Sequence, residues 1–423
     1  MKIAIIGSGI SGLSCAWLLN NQHDITLFEK NDYLGGHSNT ASINYAKLPD
    51  ERIIDVDTGF IVFNFKTYPN LKAFFEVLEV PIEKSNMSFG IKDLDNGFEY
   101  SGNDLAGLFA QKKNFFNLKF LKMLKDIHKF NKSSIKIIEN GEDFQNKTLG
   151  DFINELKLGE YFKNYYLFPM AGAIWSCPLD LIQNYPAKTF LHFFYNHGLL
   201  TILNQPQWYT VKGGSKEYVK KMSAFFKDNI KLNCNITSSK KVGEKIMLTC
   251  SQGENYQFDH VIFASHADQT RQIISDKTTL EEDILSKIKY SKNTAILHKD
   301  QNQMPNNKKA WASWIYLSKQ KENKVSLSYW MNNLQNIDHK KPLFVTLNPI
   351  EKINEDDIFG KYEYEHPIFD AEAIEAQENL RKIQGKRNIW FCGAWTKYGF
   401  HEDGLNSAIN VAEKLGAKVP WKK

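Results

Sequence analysis

The chain begins with Lys2-Ile-Ala-Ile-Ile6, an apolar run with no polar alternation. Such a run predicts a short strand buried on both faces of a parallel sheet. The pattern then changes register. After the glycine-spaced segment Gly7-Ser-Gly-Ile-Ser-Gly12, the stretch LSCAWLLNN takes helical spacing, and DITLFEK follows as a second strand. Three later runs repeat the buried-strand pattern: Ile230–Ile236, FDHVIFAS and Ile389–Phe391. The last of these leads into Gly404-Leu-Asn-Ser-Ala-Ile-Asn-Val-Ala, whose small and apolar residues predict a closely packed helix. Residues 111–136 read differently. Phe116, Phe120, Met123, Leu124 and Ile127 fall on one helical face, against eight lysines and the single acid Asp126.

Strand, glycine loop and helix together give the first segment a chemical meaning. Gly7 allows the tight turn, Gly9 lets backbone approach a pyrophosphate, and Gly12 lets helix and strand pack closely. Ser8, Ile10 and Ser11 complete a loop whose N–H groups sit at the positive end of a helix. Glu29 ends the second strand seventeen positions after Gly12, followed by Lys30. A carboxylate there accepts ribose hydroxyls and repels a 2′-phosphate, so the ligand is FAD or NAD rather than NADP.

Composition narrows the rest. At 423 residues the chain has room for two domains. Its 53 basic and 48 acidic residues nearly balance, and no nucleic-acid-binding signature appears, so no nucleic-acid partner is expected. Five cysteines without CxxC spacing exclude a disulfide framework and a zinc site, and no metal is expected. The N-terminus lacks signal-peptide features and no run of eighteen apolar residues occurs, so a cytoplasmic protein is expected. Aromatics reach 13%, which suits a large apolar interior.

Further segments carry a family resemblance. Leu34-Gly35-Gly36-His37-Ser38 resembles the second glycine pair of the flavoprotein superfamily of amine oxidases, phytoene desaturases and protoporphyrinogen oxidase, with His37 where an Arg is usual. FCGAWTKYGFHEDGL resembles its closing motif, with Ala394 after Gly393 where an acid is usual. The resemblance implies that Gly393, Ala394, Asp403, Gly404 and Leu405 approach the flavin, Asp403 replacing the missing acid or serving as a helix cap. It also implies cofactor contacts at Gly59, Phe60 and Ile61 of VDTGFIVFNFKTYPN, at Ile236, and at Ala264. Together with FPMAGAIWSCP, WYTVKGGSKEY and YEHPIFD, these motifs resemble one branch in particular, bacterial FAD-dependent oxidoreductases and the N-terminal region of plant cyclopropane-fatty-acid synthases.

The fold so implied is α/β (α+β). A discontinuous Rossmann-like FAD-binding domain of the glutathione-reductase type comprises residues 1–65, 208–270 and 385–423. An amine oxidase-like substrate domain of mixed sheet and helices comprises 66–207 and 271–384. FAD is the implied cofactor. The branch implies an apolar small-molecule or lipid substrate, with an unsaturated or methyl-branched acyl chain oxidised or reduced by two electrons. Amine oxidation, isomerisation without net redox, and a non-catalytic FAD-binding escort are the alternatives. Thr294 stands near the position of the superfamily's lysine, with Lys292 and His298 close in sequence, which weakens the amine oxidase reading. His401 is the general acid/base candidate, with a structural histidine as its plain alternative. Glu402 stands beside it, and Phe400 and Tyr398 are expected to line the substrate side. The basic helix within Gln111–Lys136 either covers the pocket or rests on the inner face of an anionic membrane.

Overall fold

A computed structural model of the protein describes residues 1–46, 53–141, 147–175, 182–201, 205–319 and 325–422. Its centre is a five-stranded, all-parallel sheet in the order Ile230–Lys231, Asp24–Phe28, Lys2–Ile6, His260–Phe263 and Ile389–Phe391. Stretches far apart in the chain therefore share one sheet, as their unalternating apolar runs require. Both faces of such a sheet must be covered. On one side lie the helices Ile10–Leu19 and His401–Lys414, with Leu13, Ala16, Leu405 and Ala408 buried together. On the other lies a small antiparallel sheet, Ile236–Val242, Lys245–Cys250 and Asn255–Phe258, whose Ile246 and Leu248 pack with Ala4 and Phe263.

The cover draws on segments beyond the boundaries read from the sequence. Helix Pro69–Val77 buries Leu71, Phe74 and Phe75 against the first helix, past residue 65. Ile284 and Leu285, with Ala373 and Ala376, pack beneath the opposite face. The parallel sheet needs more apolar cover than its own connections supply.

A second body is built on a seven-stranded mixed sheet in the order Ile358–Ile368, Lys289–His298, Phe344–Leu347, Ser326–Trp330, Trp314–Ser318, Phe89–Asp93 and Glu99–Ser101. One face packs on helices that include Leu118–Glu139, Phe168–Trp175 and Ala187–Asn196, enclosing a core rich in phenylalanine. Helix Leu118–Glu139 begins at Asn117, whose side chain caps it by accepting from the Lys119 and Phe120 N–H groups. Phe116 precedes that cap and is 87% exposed, so it does not join the buried face expected for it. Ser176, Cys177 and Pro178 of the FPMAGAIWSCP motif lie outside the described residues. Among the described residues no helix is long and apolar enough to cross a membrane.

The two bodies meet at Asp57. Its buried carboxylate accepts from the Thr40 hydroxyl (2.6 Å), the Ser215 N–H (2.9 Å) and hydroxyl (2.7 Å), and the Gln335 amide (2.8 Å). The Asp57 N–H donates back to Gln335 Oε1 at 2.9 Å. Burial pushes this carboxyl up to about 6, while the Thr40 and Ser215 hydrogen bonds pull the other way. Asp57→Ala strands several buried donors at once. At neutral pH it is expected to cost about 3 kcal/mol, read as a shift in the urea midpoint.

Candidate functional site

The first helix is buried on nearly every side, and small residues make this possible. A methyl group at Gly12 would overlap the Gly7 carbonyl oxygen, and one at Gly404 would sit 2.8 Å from Ile10 Cγ2. Ser11 Oγ donates to the Gly404 carbonyl (2.9 Å), and Cys15 lies against the Ala408 carbonyl four residues further along both helices. The helices are therefore parallel, and their N-termini reach the same end. That end holds two sets of unpaired N–H groups and two positive dipole ends, an arrangement suited to a pyrophosphate.

The glycine loops fit together in front of these helices. Gly35 N–H donates to the Ser8 carbonyl (3.0 Å), and a methyl group at Gly36 would press on Gly9 Cα at 3.2 Å. Gly9 itself has open space where its side chain would be. Gly7, Gly35 and Gly36 all have φ between +59° and +117°, a backbone region costly for other residues. Glu29 is buried at the strand end. Its Oε2 accepts from the Ser8 N–H (3.0 Å) and hydroxyl (2.6 Å), and Oε1 accepts from the Asn31 N–H (2.9 Å).

A single cavity of about 1360 Å³ begins here and runs into the second body. Its nucleotide end is lined by Gly7, Ser8, Gly9, Ile10, Ser11, Glu29, Lys30, Gly35, Gly36, His37, Ile236 and Ala264. Gly59, Phe60, Ile61, Gly393, Ala394, Phe400 and His401 line it too, nearer the junction of the two bodies. The far end is walled by Met87, Phe89, Leu124, Met170, Ile174, Phe193, Trp314 and Tyr329. Trp314 and Tyr329 are cross-strand partners facing inward, while Trp311 and Trp330 pack on the opposite side of their sheet.

Several expected residues stand elsewhere. Glu402 is not available for proton transfer: Oε2 accepts from the Leu71 N–H (2.9 Å) and Oε1 from the Asn70 N–H (3.0 Å), capping helix Pro69–Val77. Asp403 accepts from the Phe400 (3.1 Å) and Tyr398 (3.2 Å) N–H groups and does not reach the cavity. It therefore takes the cap role of the two weighed for it. Gly12, Gly404 and Leu405 act in helix packing, away from the cavity wall. Ser38 lies behind the wall and hydrogen-bonds Tyr218 and His401 Nε2, the latter at 2.9 Å.

His401 stacks on Phe60 with ring centres 3.7 Å apart. Burial, aided by His37, lowers its pKa to about 3. It is thus neutral at pH 7, held well below the ordinary histidine range that suits a proton carrier at neutral pH. Sequence reasoning left Tyr218, His266 and His366 unassigned. Tyr218 shares the His401 nitrogen at 3.2 Å. His266 and His366 line the cavity with ring centres 6.2 and 5.3 Å from His37. Burial lowers His37 and His266 to about 4 and His366 to about 3. His37 Nε2 is buried with no hydrogen-bond partner among the described residues. Only YEHPIFD, as a motif without an assigned histidine role, pointed towards His366. Lys292 lines the cavity, whereas Thr294 pairs with the Glu363 carboxylate at 2.9 Å and His298 is buried on Thr346.

These neutral histidines set an acid limit. Above about 6.5 they are uncharged in both folded and unfolded chains. Below that, the unfolded chain takes up protons first, so stability falls as pH falls from about 6.5 towards 4. Chemical denaturation at about pH 7.5 and about pH 5.5, roughly one unit either side of the ordinary histidine pKa, should show this loss. Replacing His366 by Gln should reduce it. For the loop, Gly12→Ala is expected to force the first helix off the Gly7 turn and abolish uptake of an added adenine dinucleotide, read by equilibrium dialysis.

Comparison with known proteins agrees with this geometry. Residues 5–78 match the NAD(P)-binding Rossmann-like domain family. Over 81 residues the chain is 36% identical to 15-cis-phytoene desaturase of Synechococcus elongatus, a match spanning 19% of this chain and 15% of the desaturase. Solved structures match over nearly the whole chain. A CLA-producing fatty acid isomerase from P. acnes has a TM-score of 0.69 at 14% identity, covering 98% of both chains. Cyclohexylamine oxidase from Brevibacterium oxydans has 0.68 at 14%, covering 98% of this chain and 99% of the other. A putative protoporphyrinogen oxidase from Exiguobacterium has 0.67 at 13%, covering 98% of each. An 81-residue stretch is thus similar to a phytoene desaturase, residues 5–78 match a Rossmann-like nucleotide-binding domain, and the mixed α/β fold is shared with the cyclohexylamine oxidase and the putative protoporphyrinogen oxidase.

Proposed function

We propose that this chain is an FAD-dependent oxidoreductase acting on an apolar substrate of the fatty-acyl or lipid class. The observation that carries the reading is the single cavity, polar and glycine-lined at one end, aromatic and aliphatic at the other. At about 1360 Å³ it exceeds the roughly 300–1,000 Å³ usual for one small ligand, which leaves room for a dinucleotide and a substrate together. The residues suit FAD: Gly9 leaves an approach for pyrophosphate, two helix N-termini favour its charge, and Glu29 stands where ribose hydroxyls would be held. Bound FAD supplies a two-electron acceptor and donor. The chain holds the substrate by burial, at about 0.8 kcal/mol per CH₂, and excludes water with Phe193, Trp314 and Tyr329. His401, neutral and hydrogen-bonded to Ser38 and Tyr218, orients polar groups at the junction rather than carrying a charge there.

A second reading, isomerisation of an acyl chain without net electron transfer, is favoured by the fold shared with the fatty acid isomerase. Anaerobic mixing with unsaturated fatty acids, phospholipids and amines separates the readings. Bleaching of the flavin band by acyl substrates supports net redox. An unchanged band with a product of equal mass supports isomerisation, and bleaching by amines alone moves the assignment to amine oxidation. Two variants locate the ends of the cavity. Glu29→Ala should release FAD on dialysis, and Ile174→Trp should keep the yellow colour while lowering turnover of long chains by about tenfold or more. A colourless wild-type protein that takes up no added FAD would overturn the proposal.

A further inference from the structure

The segment that joins strand Glu99–Ser101 to helix Leu118–Glu139 carries large apolar side chains into solvent: Leu105 is 76% exposed, Phe115 52%, Phe116 87% and Leu118 80%. Scattered single exposed residues need no explanation, but four within fourteen positions concentrate apolar surface on one short segment. Their backbone is well supported: Asp104 caps the short helix Leu105–Leu108 by accepting from the Gly107 N–H at 2.6 Å, and Phe115 stacks on Phe109 with centres 4.0 Å apart. The side chains are thus presented on an ordered platform.

Two further observations say what covers it. The first is charge. Lys112, Lys113, Lys119 and Lys125 are exposed around the patch, and Lys308 and Lys309 join them from the turn that packs beside Gly107. Asp104 is the one acid between Gly102 and Lys125, and its carboxylate is engaged in the cap. A second copy of the chain would set lysines against lysines, whereas an anionic lipid surface matches both the apolar tip and its basic rim. The second is position. Leu105 and Leu108 also line the cavity, as do Leu124 and Ile127 of the helix beside them. Leu105, exposed and lining the cavity at once, therefore stands where the cavity opens to solvent, and Phe115, Phe116 and Leu118 follow on the same segment.

We propose that Leu105, Phe115, Phe116 and Leu118, with the surrounding lysines, dock this protein on an anionic phospholipid bilayer and open the apolar end of the cavity directly into it. An acyl chain then passes from membrane to cavity without crossing water. The docking does not depend on the flavin reading. It is tested by co-sedimentation of the full chain, with its cofactor content recorded, against vesicles of phosphatidylcholine alone and of phosphatidylcholine with phosphatidylglycerol. Binding is expected to the mixed vesicles only, and to fall with added salt. Phe116→Ser with Leu118→Ser should lower it about tenfold or more, since both side chains leave water on docking. Lys112→Glu with Lys113→Glu should lower it on mixed vesicles while leaving cofactor content and melting temperature unchanged. No binding to mixed vesicles, or binding unaffected by either double variant, overturns the proposal. So does concentration-dependent dimerisation that the Phe116/Leu118 variant abolishes in the absence of vesicle binding, which would assign the patch to a second copy.

Discussion

The site rests on two helices packed closely enough to start at the same place. Glycine, serine, cysteine and alanine line their contact, and the Ser11 hydroxyl is bonded to the Gly404 carbonyl. Larger residues there would push the helices apart and separate their N-termini. The electrostatic benefit of a helix end falls off within one turn, so a separation of a few ångström would leave two weak sites in place of one strong one. Close packing of two segments almost four hundred residues apart is thus the condition for a cofactor cradle.

That constraint explains why polar groups near the site are so often structural. Glu402 and Asp403 stand at the start of the closing helix, where carboxylates look chemically useful. Both spend their oxygens on backbone N–H groups, Glu402 on helix Pro69–Val77 and Asp403 on its own turn. The caps hold Phe400 and His401 at the cavity wall, which is how these acids influence the site. Asp57 works in the same way at larger scale, tying the glycine-pair segment, the Ser215 turn and Gln335 to one carboxylate.

Burial has the opposite effect on the histidines. His37, His266, His366 and His401 are held neutral because an imidazolium there would be poorly solvated and close to others of its kind. A cluster of neutral rings can orient a ligand and accept or donate single hydrogen bonds. It adds no charge of its own to the cavity wall, where Glu365 and Lys292 are ionisable neighbours.

The glycine loop, the carboxylate at the end of the second strand and the parallel-strand runs were legible because each depends on local chemistry. A tight turn needs glycine, and a doubly buried strand needs uninterrupted apolar residues. Helix Leu118–Glu139 was legible from its spacing, but its start was not. Asn117 caps it and turns Phe116 outward, and a periodic pattern does not register a cap placed within it. The roles of Glu402, Asp403 and Lys292 depend on which distant backbone or cavity wall they meet, and a one-dimensional pattern carries no such distances. What the chain order determined by itself was a nucleotide cradle and a separate greasy half. Tertiary packing alone decided that the two share one continuous space, because only the approach of segments remote in sequence creates a wall common to both.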